Sequence, residues 1–281
     1  MRISYCTWGM MNVDIEQAIP ALAKIGYQAI ELAVTPNWPT DLATLDATRR
    51  RRIRQLLDEY HLGLSAVAGH TSMTESDPDK NAANMKRLRD TLDLAVELAR
   101  PGEPAIAASL AGGGVDEWEA KKELVAERVR QLGEHASRRG AILAVEPHSG
   151  TSFDTPEKAV WLMEQVNHPA VRLNFDISHF DVIGIGIDEC VPVMVPLSVH
   201  THVKDQRGRY PNHEFLTPGA GPFDFVHYLA AMHKAGYTGY IGVEVSVMVQ
   251  RKAGYDPFVD AALGYYALRH AFNESGAPLE G

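Results

Sequence analysis

Short apolar segments alternate about eight times with segments of helical periodicity along this chain. The strand candidates are residues 2–8, 29–34, 64–69, 105–110, 142–146, 171–176, 198–205 and 240–244. Helix signals separate them, such as the Asp14 and Gln17 capping pair and the stop at Gly26. This alternation is typical of parallel strands, because each parallel pair needs a crossover connection between its strands.

No linker-like or low-complexity stretch interrupts the alternation, and residues 205–222 are expected to form a long polar loop. We therefore predict an α/β fold, a (β/α)8 TIM barrel that forms a single domain over residues 1–281, with residues 273–281 as a loose tail. A doubly wound open sheet is the alternative. That fold has a glycine fingerprint after an early strand, and this sequence lacks one there.

Four consecutive strand candidates carry residues of metal-binding type near their ends. They are the carboxylates Glu146, Asp176 and Glu244 and the histidines within residues 198–205. The carboxyl-terminal strand ends of a parallel barrel open onto one face, so these side chains would converge. Any one of the acids fits an ordinary strand end paired with lysine or arginine. Together they predict a divalent cation site, with Mn²⁺ or Mg²⁺ preferred by the oxygen-rich set and Co²⁺ or Zn²⁺ tolerated.

The seventh strand candidate differs from an ordinary buried strand in its polar residues. Alternation places Ser198, His200 and His202 on one face of this strand. Polar side chains along one face indicate an interior lined with functional groups and not a dry core.

Glu146 and Glu244 would face each other across the centre of the barrel, which predicts proton transfer at carbon. A divalent ion would grip a hydroxyl and the adjacent carbonyl of a sugar and stabilise the enediolate. One glutamate would remove a proton from carbon. The other would return it to the opposite face, giving epimerisation, or to the neighbouring carbon, giving aldose–ketose isomerisation.

The charge and the cysteine content limit the class of protein. The formal net charge is −9, so a nucleic acid partner is disfavoured. Cys6 and Cys190 are the two cysteines, too few for a disulfide framework or a cysteine-type zinc site. The sequence lacks a signal-peptide pattern and an apolar run near the ~18 residues of a membrane span, so a cytoplasmic protein without membrane partners is expected.

Five motifs contain or adjoin the candidate residues. They are Val145-Glu146-Pro147-His148, Asp176-Ile177-Ser178-His179, His200-Thr201-His202-Val203-Lys204-Asp205, residues 218–224, and Gly242-Val243-Glu244. Over nearly the whole chain, the sequence resembles the xylose-isomerase-like TIM barrels. That sugar phosphate isomerase/epimerase family includes endonuclease IV, ketose 3-epimerases, inosose dehydratase and hydroxypyruvate isomerase. The resemblance implies a small carbohydrate substrate and a homo-oligomer.

The resemblance also implies roles for individual residues. Metal binding is implied for Glu146, Asp176, His202 and Glu244, with Glu146 and Glu244 as the catalytic acid/base pair. Substrate contacts are expected from His179, His148, Lys204, His200, His70, Arg207 and Trp8. A satisfied loop histidine is the alternative for His70, and a barrel plug is the alternative for Trp8. Glu31 is a further candidate for shaping the sugar pocket.

Other functions on the same fold stay open. A lyase, such as an inosose-type dehydratase or a C-glycoside-cleaving enzyme, shares the step of proton abstraction. An AP endonuclease would need additional metal-binding histidines, and residues 109–112 have no imidazole. A non-catalytic sugar-binding barrel is the third class. Since Val203-Lys204-Asp205 follow the second histidine where the 3-epimerases have Gly and Glu, the resemblance does not single out a 3-epimerase.

Overall fold

Eight parallel strands close into a barrel in the computed structural model, which describes residues 1–280. In chain order these strands are β1 (Arg2–Cys6), β2 (Ala29–Ala33), β3 (Gly63–Ala68), β4 (Ala105–Leu110), β5 (Ala141–Glu146), β6 (Val171–Asp176), β7 (Ser198–Val203) and β10 (Tyr240–Val243). The order around the barrel is β1-β10-β7-β6-β5-β4-β3-β2, and β10 closes on β1 with Arg2 paired to Tyr240. The predicted (β/α)8 barrel is confirmed.

Helices surround the strands and cover their outer faces. They are α1 (Ile15–Ile25), α2 (Ala47–Glu59), α3 (Pro78–Leu98), α4 (Trp118–Arg139), α5 (Pro156–Val166), α6 (Ile177–Ile183), α7 (Ile187–Met194), α8 (Phe225–Lys234), α9 (Val247–Gln250) and α10 (Pro257–Ser275). Capping side chains set their starts; Asp46, for example, accepts a hydrogen bond from the Arg49 amide at 2.8 Å. Within residues 1–280, none of the helices has both the length and the apolar character for crossing a bilayer.

Helix α6 and a hairpin are among the elements near the carboxyl-terminal strand ends that were not predicted from periodicity. Helix α6 follows β6 directly, because the Asp176 side chain accepts a hydrogen bond from the Ser178 amide at 2.9 Å and caps the first turn. The segment expected to be a loop contains an antiparallel hairpin of β8 (Asp205–Arg207) and β9 (Glu214–Leu216). Both elements bring side chains to the mouth of the barrel.

Alternation along the first two strands explains how polar groups reach the barrel interior. Ile3, Ile30 and Leu32 belong to the apolar core between strands and helices. The intervening residues Ser4 and Glu31 are fully buried and face the opposite way, into the barrel.

The expected alternation along β7 is wrong at its start. The register of β6 and β7 shifts between Leu173 and Asn174, which is the signature of a bulge. Ser198 therefore does not share a face with His200; its hydroxyl donates to the Met194 carbonyl at 2.7 Å. Val199 packs instead against small apolar residues of the barrel interior.

The segment expected to be a loose tail packs near the start of β1. Helix α10 continues through Ser275, and Ala277 is buried. The Met1 amine donates to the Pro278 carbonyl at 3.0 Å, and the Glu280 amide donates to the Met1 carbonyl at 2.9 Å. These main-chain hydrogen bonds hold residues 277–280 against the barrel. Gly281, the last residue of the predicted tail, lies outside the described residues.

Candidate active site

Four side chains converge at the carboxyl-terminal ends of the barrel strands. We call Glu146, Asp176, His202 and Glu244 the carboxylate–histidine cluster, since one donor atom from each lies within 4.8 Å of the others. The first two end β5 and β6, and Glu244 follows β10. Strand pairing places His202 beside both Asp176 and Gly242, so all four side chains reach the same level of the barrel. The structure thus brings together the four residues predicted as metal ligands.

The chemistry of this cluster fits a divalent cation. Glu146, Asp176 and His202 are buried and Glu244 is partly buried, and Glu146 Oε1 is a buried oxygen with no hydrogen-bond partner among residues 1–280. An unpaired carboxylate oxygen at this depth is costly unless a cation satisfies it. Hard oxygen donors with one nitrogen suit Mn²⁺ or Mg²⁺, and Zn²⁺ also accepts such a set.

The imidazole of His202 is held at both of its nitrogens. Nε2 contacts Oε2 of Glu31, which lies deeper in the barrel. Nδ1 lies 3.1 Å from Glu244 Oε2 and 3.6 Å from Glu146 Oε1, and Asn174 Nδ2 lies 3.2 Å from it. Nδ1 is therefore the nitrogen directed at the cluster.

Opposite charges hold the acids of this region ionised. Burial by itself would raise the pKa of Glu31, but His202 and His200 lower it well below its usual range. Burial would also raise the pKa of Glu244, and the charges of Lys204 and His202 lower it instead. For His202, burial would lower the pKa, and Glu31 and Glu244 raise it well above its usual range. Each of these three buried or partly buried charged groups therefore has an adjacent partner of opposite sign.

Lys204 places an ammonium group among the same carboxylates. Its Nζ contacts Asp176 Oδ2 and lies 2.7 Å from Glu244 Oε2. Burial would lower the pKa of this buried lysine, but Asp176 and Glu244 raise it, so the ammonium persists at neutral pH. The predicted substrate contact is thus also an ion-pair partner of two cluster carboxylates.

His179 lies beside the cluster on helix α6. Its Nδ1 is 3.0 Å from the Ser149 hydroxyl, and its Nε2 is 3.4 Å from Lys204 Nζ. The His148 ring lies over it with centroids 3.7 Å apart. Burial, and then the neighbouring His148 and Lys204, lower the pKa of His179 well below its usual range. A neutral imidazole here accepts from the ammonium and donates to the hydroxyl.

A cavity of about 290 Å³ opens above the cluster. Glu146, Glu244, His179 and Lys204 form its floor, and its other lining residues include Trp8, His70, Leu110, His148, Ser149, His213, Phe215 and Met248. Trp8 packs against Trp38 at 4.8 Å and against His70 at 5.5 Å between ring centroids. Aromatic walls with polar groups at the floor are the usual form of a small-molecule site.

Among the lining residues that sequence reasoning missed are His213 and Phe215. Both belong to the segment that was expected to be a loop, where no periodicity indicated their direction. Nδ1 of His213 and Nδ1 of His70 are buried without hydrogen-bond partners in the described part of the chain. They are therefore available to groups of a ligand in the cavity.

Three residues that were predicted to contact the substrate or shape its pocket lie away from the cavity. His200 and Glu31 lie beneath the cluster, with His200 Nε2 2.8 Å from Glu31 Oε2. The Arg207 side chain is 64% exposed and pairs with Glu214 at 2.6 Å. It lines a separate, more open cleft of about 580 Å³ that contains none of the cluster residues. That cleft is larger, but the cluster residues Glu146 and Glu244 line the smaller cavity.

Asp205 fixes the loop that follows the hairpin. Its carboxylate accepts hydrogen bonds from the amides of Gly219 at 3.1 Å, Gly221 at 2.9 Å and Phe223 at 3.0 Å. A Cβ at position 221 would lie 2.4 Å from Asp205 Oδ1, so the close approach requires glycine. The Pro-Gly-Ala-Gly-Pro sequence thus forms an anion nest for a side chain of the protein itself.

Known proteins share this architecture. The family described as "Xylose isomerase-like TIM barrel" matches residues 19–260. The chain is 25% identical to a human protein named putative hydroxypyruvate isomerase, over 94% of this chain and 91% of that one. It is 25% identical to L-ribulose 3-epimerase of Methylomonas sp. strain DH-1, over 81% and 77%. It is 27% identical to inosose dehydratase of Geobacillus thermodenitrificans, over 46% and 47%.

Solved structures of low sequence identity share the fold. D-psicose 3-epimerase of Clostridium cellulolyticum H10, determined with D-tagatose, has a TM-score of 0.80 at 17% identity over 98% of this chain and 99% of that one. The IOLI protein with a zinc atom gives 0.79 at 16% over 98% and 99%. A barrel from Mycobacterium smegmatis in complex with magnesium gives 0.70 at 21% over 98% and 97%.

Proposed function

Because the chain belongs to the xylose isomerase-like TIM barrel family, we propose that it is a metal-dependent isomerase or epimerase of a small carbohydrate. It would move a proton on a carbon next to the carbonyl group. The observation that carries the proposal is the cluster itself, in which Glu146 and Glu244 flank one point at the floor of a cavity. Relatives named as isomerases and epimerases support the same class of reaction.

The cluster residues Glu146, Asp176, His202 and Glu244 would hold the metal, with Mn²⁺ as our first choice. A bound divalent ion would polarise the substrate carbonyl and lower the cost of negative charge on its oxygen. The partnerless Oε1 of Glu146 supports this assignment, since it is a buried donor directed into the cluster. Zinc and magnesium in the two structural relatives support a divalent ion without deciding its identity.

The two glutamates would act as the acid/base pair. Both lie on the cavity floor, and their lowered pKa values keep them ionised and able to accept a proton at neutral pH. Burial tends to raise the pKa of Glu146, while the proximity of His202 lowers it. One ionised glutamate would remove a proton from carbon. The other glutamate, after taking up a proton from solvent, would donate it to the enediolate from the other side, and the first would release its proton to solvent.

The surrounding side chains would orient the substrate. Lys204 and His179 present an ammonium and an imidazole to its oxygens, and His148 lies against the His179 ring. Trp8 and Phe215 provide apolar walls for its C–H faces. The cavity lies near the lower end of the size range of small-molecule sites, and its lining contains no arginine. We therefore propose an unphosphorylated sugar or a polyol-derived ketone as the substrate.

Solvent-deuterium uptake tests this function. The protein would be treated with EDTA, reloaded with Mn²⁺, and offered a panel of ketoses, aldoses and inosose-type ketones in D₂O. We expect metal-dependent deuterium at a carbon next to the carbonyl, with loss of the label in Glu146→Gln and its retention in the surface control Glu123→Gln. Absence of exchange across the panel, with metal bound, would contradict the proposal.

Dehydration is the second candidate, favoured by the inosose dehydratase relative and by the ammonium of Lys204. The proton would leave in the same first step, and a β-hydroxyl would then depart as water after protonation. The product distinguishes the two reactions. An enone that absorbs in the ultraviolet would identify the dehydratase, whereas a labelled sugar of unchanged mass apart from deuterium would identify the isomerase or epimerase.

A further inference from the structure

A carboxylate is buried directly beneath the metal-binding cluster. Glu31 is fully buried, and strand alternation turns it into the barrel between Ile30 and Leu32, which pack outward. Its Oε2 contacts Nε2 of His200 at 2.8 Å and also Nε2 of His202. Glu31 does not line the cavity and so has no contact with a substrate bound there.

We propose that Glu31 is a positioning residue that holds His202 with a proton on Nε2 and with Nδ1 directed at the metal. This role rests on the metal-dependent function proposed above. A carboxylate only accepts hydrogen bonds, so Nε2 must be the protonated nitrogen of His202 where the two groups meet. The lone pair of the neutral ring then lies on Nδ1, which faces Glu244 Oε2 at 3.1 Å and Glu146 Oε1 at 3.6 Å.

His200 completes the arrangement by fixing Glu31. Its Nε2 donates to the same Oε2, so the carboxylate is held between two imidazoles from one strand. Side chains two residues apart on β7 point the same way, which explains the His-x-His spacing of the motif. His200 would therefore act on the metal site through Glu31 and not through the substrate.

The cost of burying this carboxylate argues against simple space filling. Among residues 1–280, the ion-pair partners of Glu31 are the two histidines, with no lysine or arginine. Ala66, the strand partner of Glu31, belongs to a cluster of buried apolar residues in the barrel that also includes Ala108. An apolar side chain would thus suit a structural role at lower cost. A carboxylate bound to the far nitrogen of a metal-ligating histidine instead fixes the tautomer and raises the basicity of the ligand.

Substitution of Glu31 by glutamine tests the proposal with nearly unchanged size. The amide oxygen can take the place of Oε2 and accept from both imidazoles, but the negative charge is lost and an NH₂ group replaces the buried, partnerless Oε1. We expect Mn²⁺ to bind about 10–100-fold more weakly in Glu31→Gln than in the wild type, as measured by calorimetry. The surface variant Glu123→Gln is the matched control and should keep the wild-type dissociation constant. Equal affinity in Glu31→Gln would overturn the role of Glu31 while leaving the proposed function intact.

Nitrogen-15 NMR of the wild-type protein loaded with Zn²⁺ gives a second readout that needs no variant. We expect the His202 ring to show a protonated Nε2 and a metal-bound Nδ1. A protonated Nδ1 would overturn the proposal. So would two bound ions per chain, one of them held by Cys6, Glu31 and His202, whose donor atoms also lie within 4.8 Å of one another. If the wild type bound no divalent ion, both the proposed function and this role of Glu31 would be wrong.

Discussion

The two halves of the barrel interior differ in polarity. In the lower half, two or more residues before the carboxyl-terminal ends of β3, β4 and β5, a small apolar cluster is formed by Ala66, Ile106, Ala108 and Ala144. In the upper half, towards the carboxyl-terminal ends, the three carboxylates of the cluster and that of Glu31 lie near the Lys204 ammonium and several imidazoles. The lower half is held by apolar packing. The upper half keeps an excess of negative charge, which makes its stability depend on bound cations and on pH.

This difference assigns fold stability to the lower half of the barrel and function to the upper half. Close packing in the lower half contributes stability regardless of the ligand state. In the upper half, paired charges such as Lys204 with Glu244 offset only part of the cost of burial. Changes above the level of Glu31 should therefore alter activity and metal binding, and changes below it should alter only stability.

The largest effect is expected from the glutamates of the cavity floor. Glu146→Gln or Glu244→Gln should lower metal-dependent deuterium exchange by about 10²–10⁴-fold, since each removes an acid/base group. Single-turnover exchange measured by NMR, with metal saturation checked separately, would report this loss. Full exchange in either variant would show that proton transfer does not need that glutamate.

The next effect concerns the stability of the upper half. A divalent ion at about 100 times its dissociation constant should raise the free energy of unfolding by about 2.7 kcal/mol. Urea unfolding with Mn²⁺ and with EDTA would measure the increment. Asp176→Asn should lose most of it, because this residue ends β6 within the cluster. An equal increment in that variant would place the ion elsewhere.

A substitution in the lower half should change the stability without changing the stabilisation by metal. Ala108→Val adds two methyl groups to a fully buried position in the small apolar cluster. Such overpacking should lower the free energy of unfolding by about 1–3 kcal/mol, with or without metal. Urea unfolding would measure the loss, and the Mn²⁺ increment should stay at its wild-type value. A reduced increment would show that the two halves are coupled.

Sequence reasoning predicted the positions that follow from topology. Glu146, Asp176 and Glu244 each end an apolar run, and parallel strands bring such ends to one face whatever the side-chain rotamers. Their convergence could therefore be predicted from order along the chain. His202 followed from the resemblance to a family motif, and the structure brings it to the same level as Asp176.

Positions that depend on pairing between distant segments could not be predicted. The bulge between β6 and β7 turned Ser198 away from the interior, and a single strand carries no sign of such a shift. Arg207 and His213 belong to a hairpin whose register decides which of them reaches the cavity. The pairing of Glu31 with His202 joins residues 171 positions apart.

The smallest expected effect is on the pH dependence of stability, to which the buried histidines His179 and His202 of the upper half contribute differently. The pKa of His179 is lowered well below its usual range, so in acid the unfolded chain binds a proton there that the native state does not. Stability of the metal-free protein should therefore fall as the pH drops below about 6.5, the ordinary value for histidine. His202 has a raised pKa, so its contribution is complete below that pH and is lost only as the pH rises through its native value.

The pH ranges over which His179 and His202 change the stability do not overlap, so the variant His179→Asn isolates the contribution of His179. Removal of His179 should make the loss of stability below about pH 6.5 shallower by up to about 1.4 kcal/mol per pH unit. The slope above that pH should stay as in the wild type, because His202 is unchanged. Urea unfolding in EDTA from pH 5 to 9 would measure both slopes. An acid slope identical to that of the wild type would mean that His179 is protonated in the native state, contrary to the burial and the neighbouring Lys204 that hold it neutral.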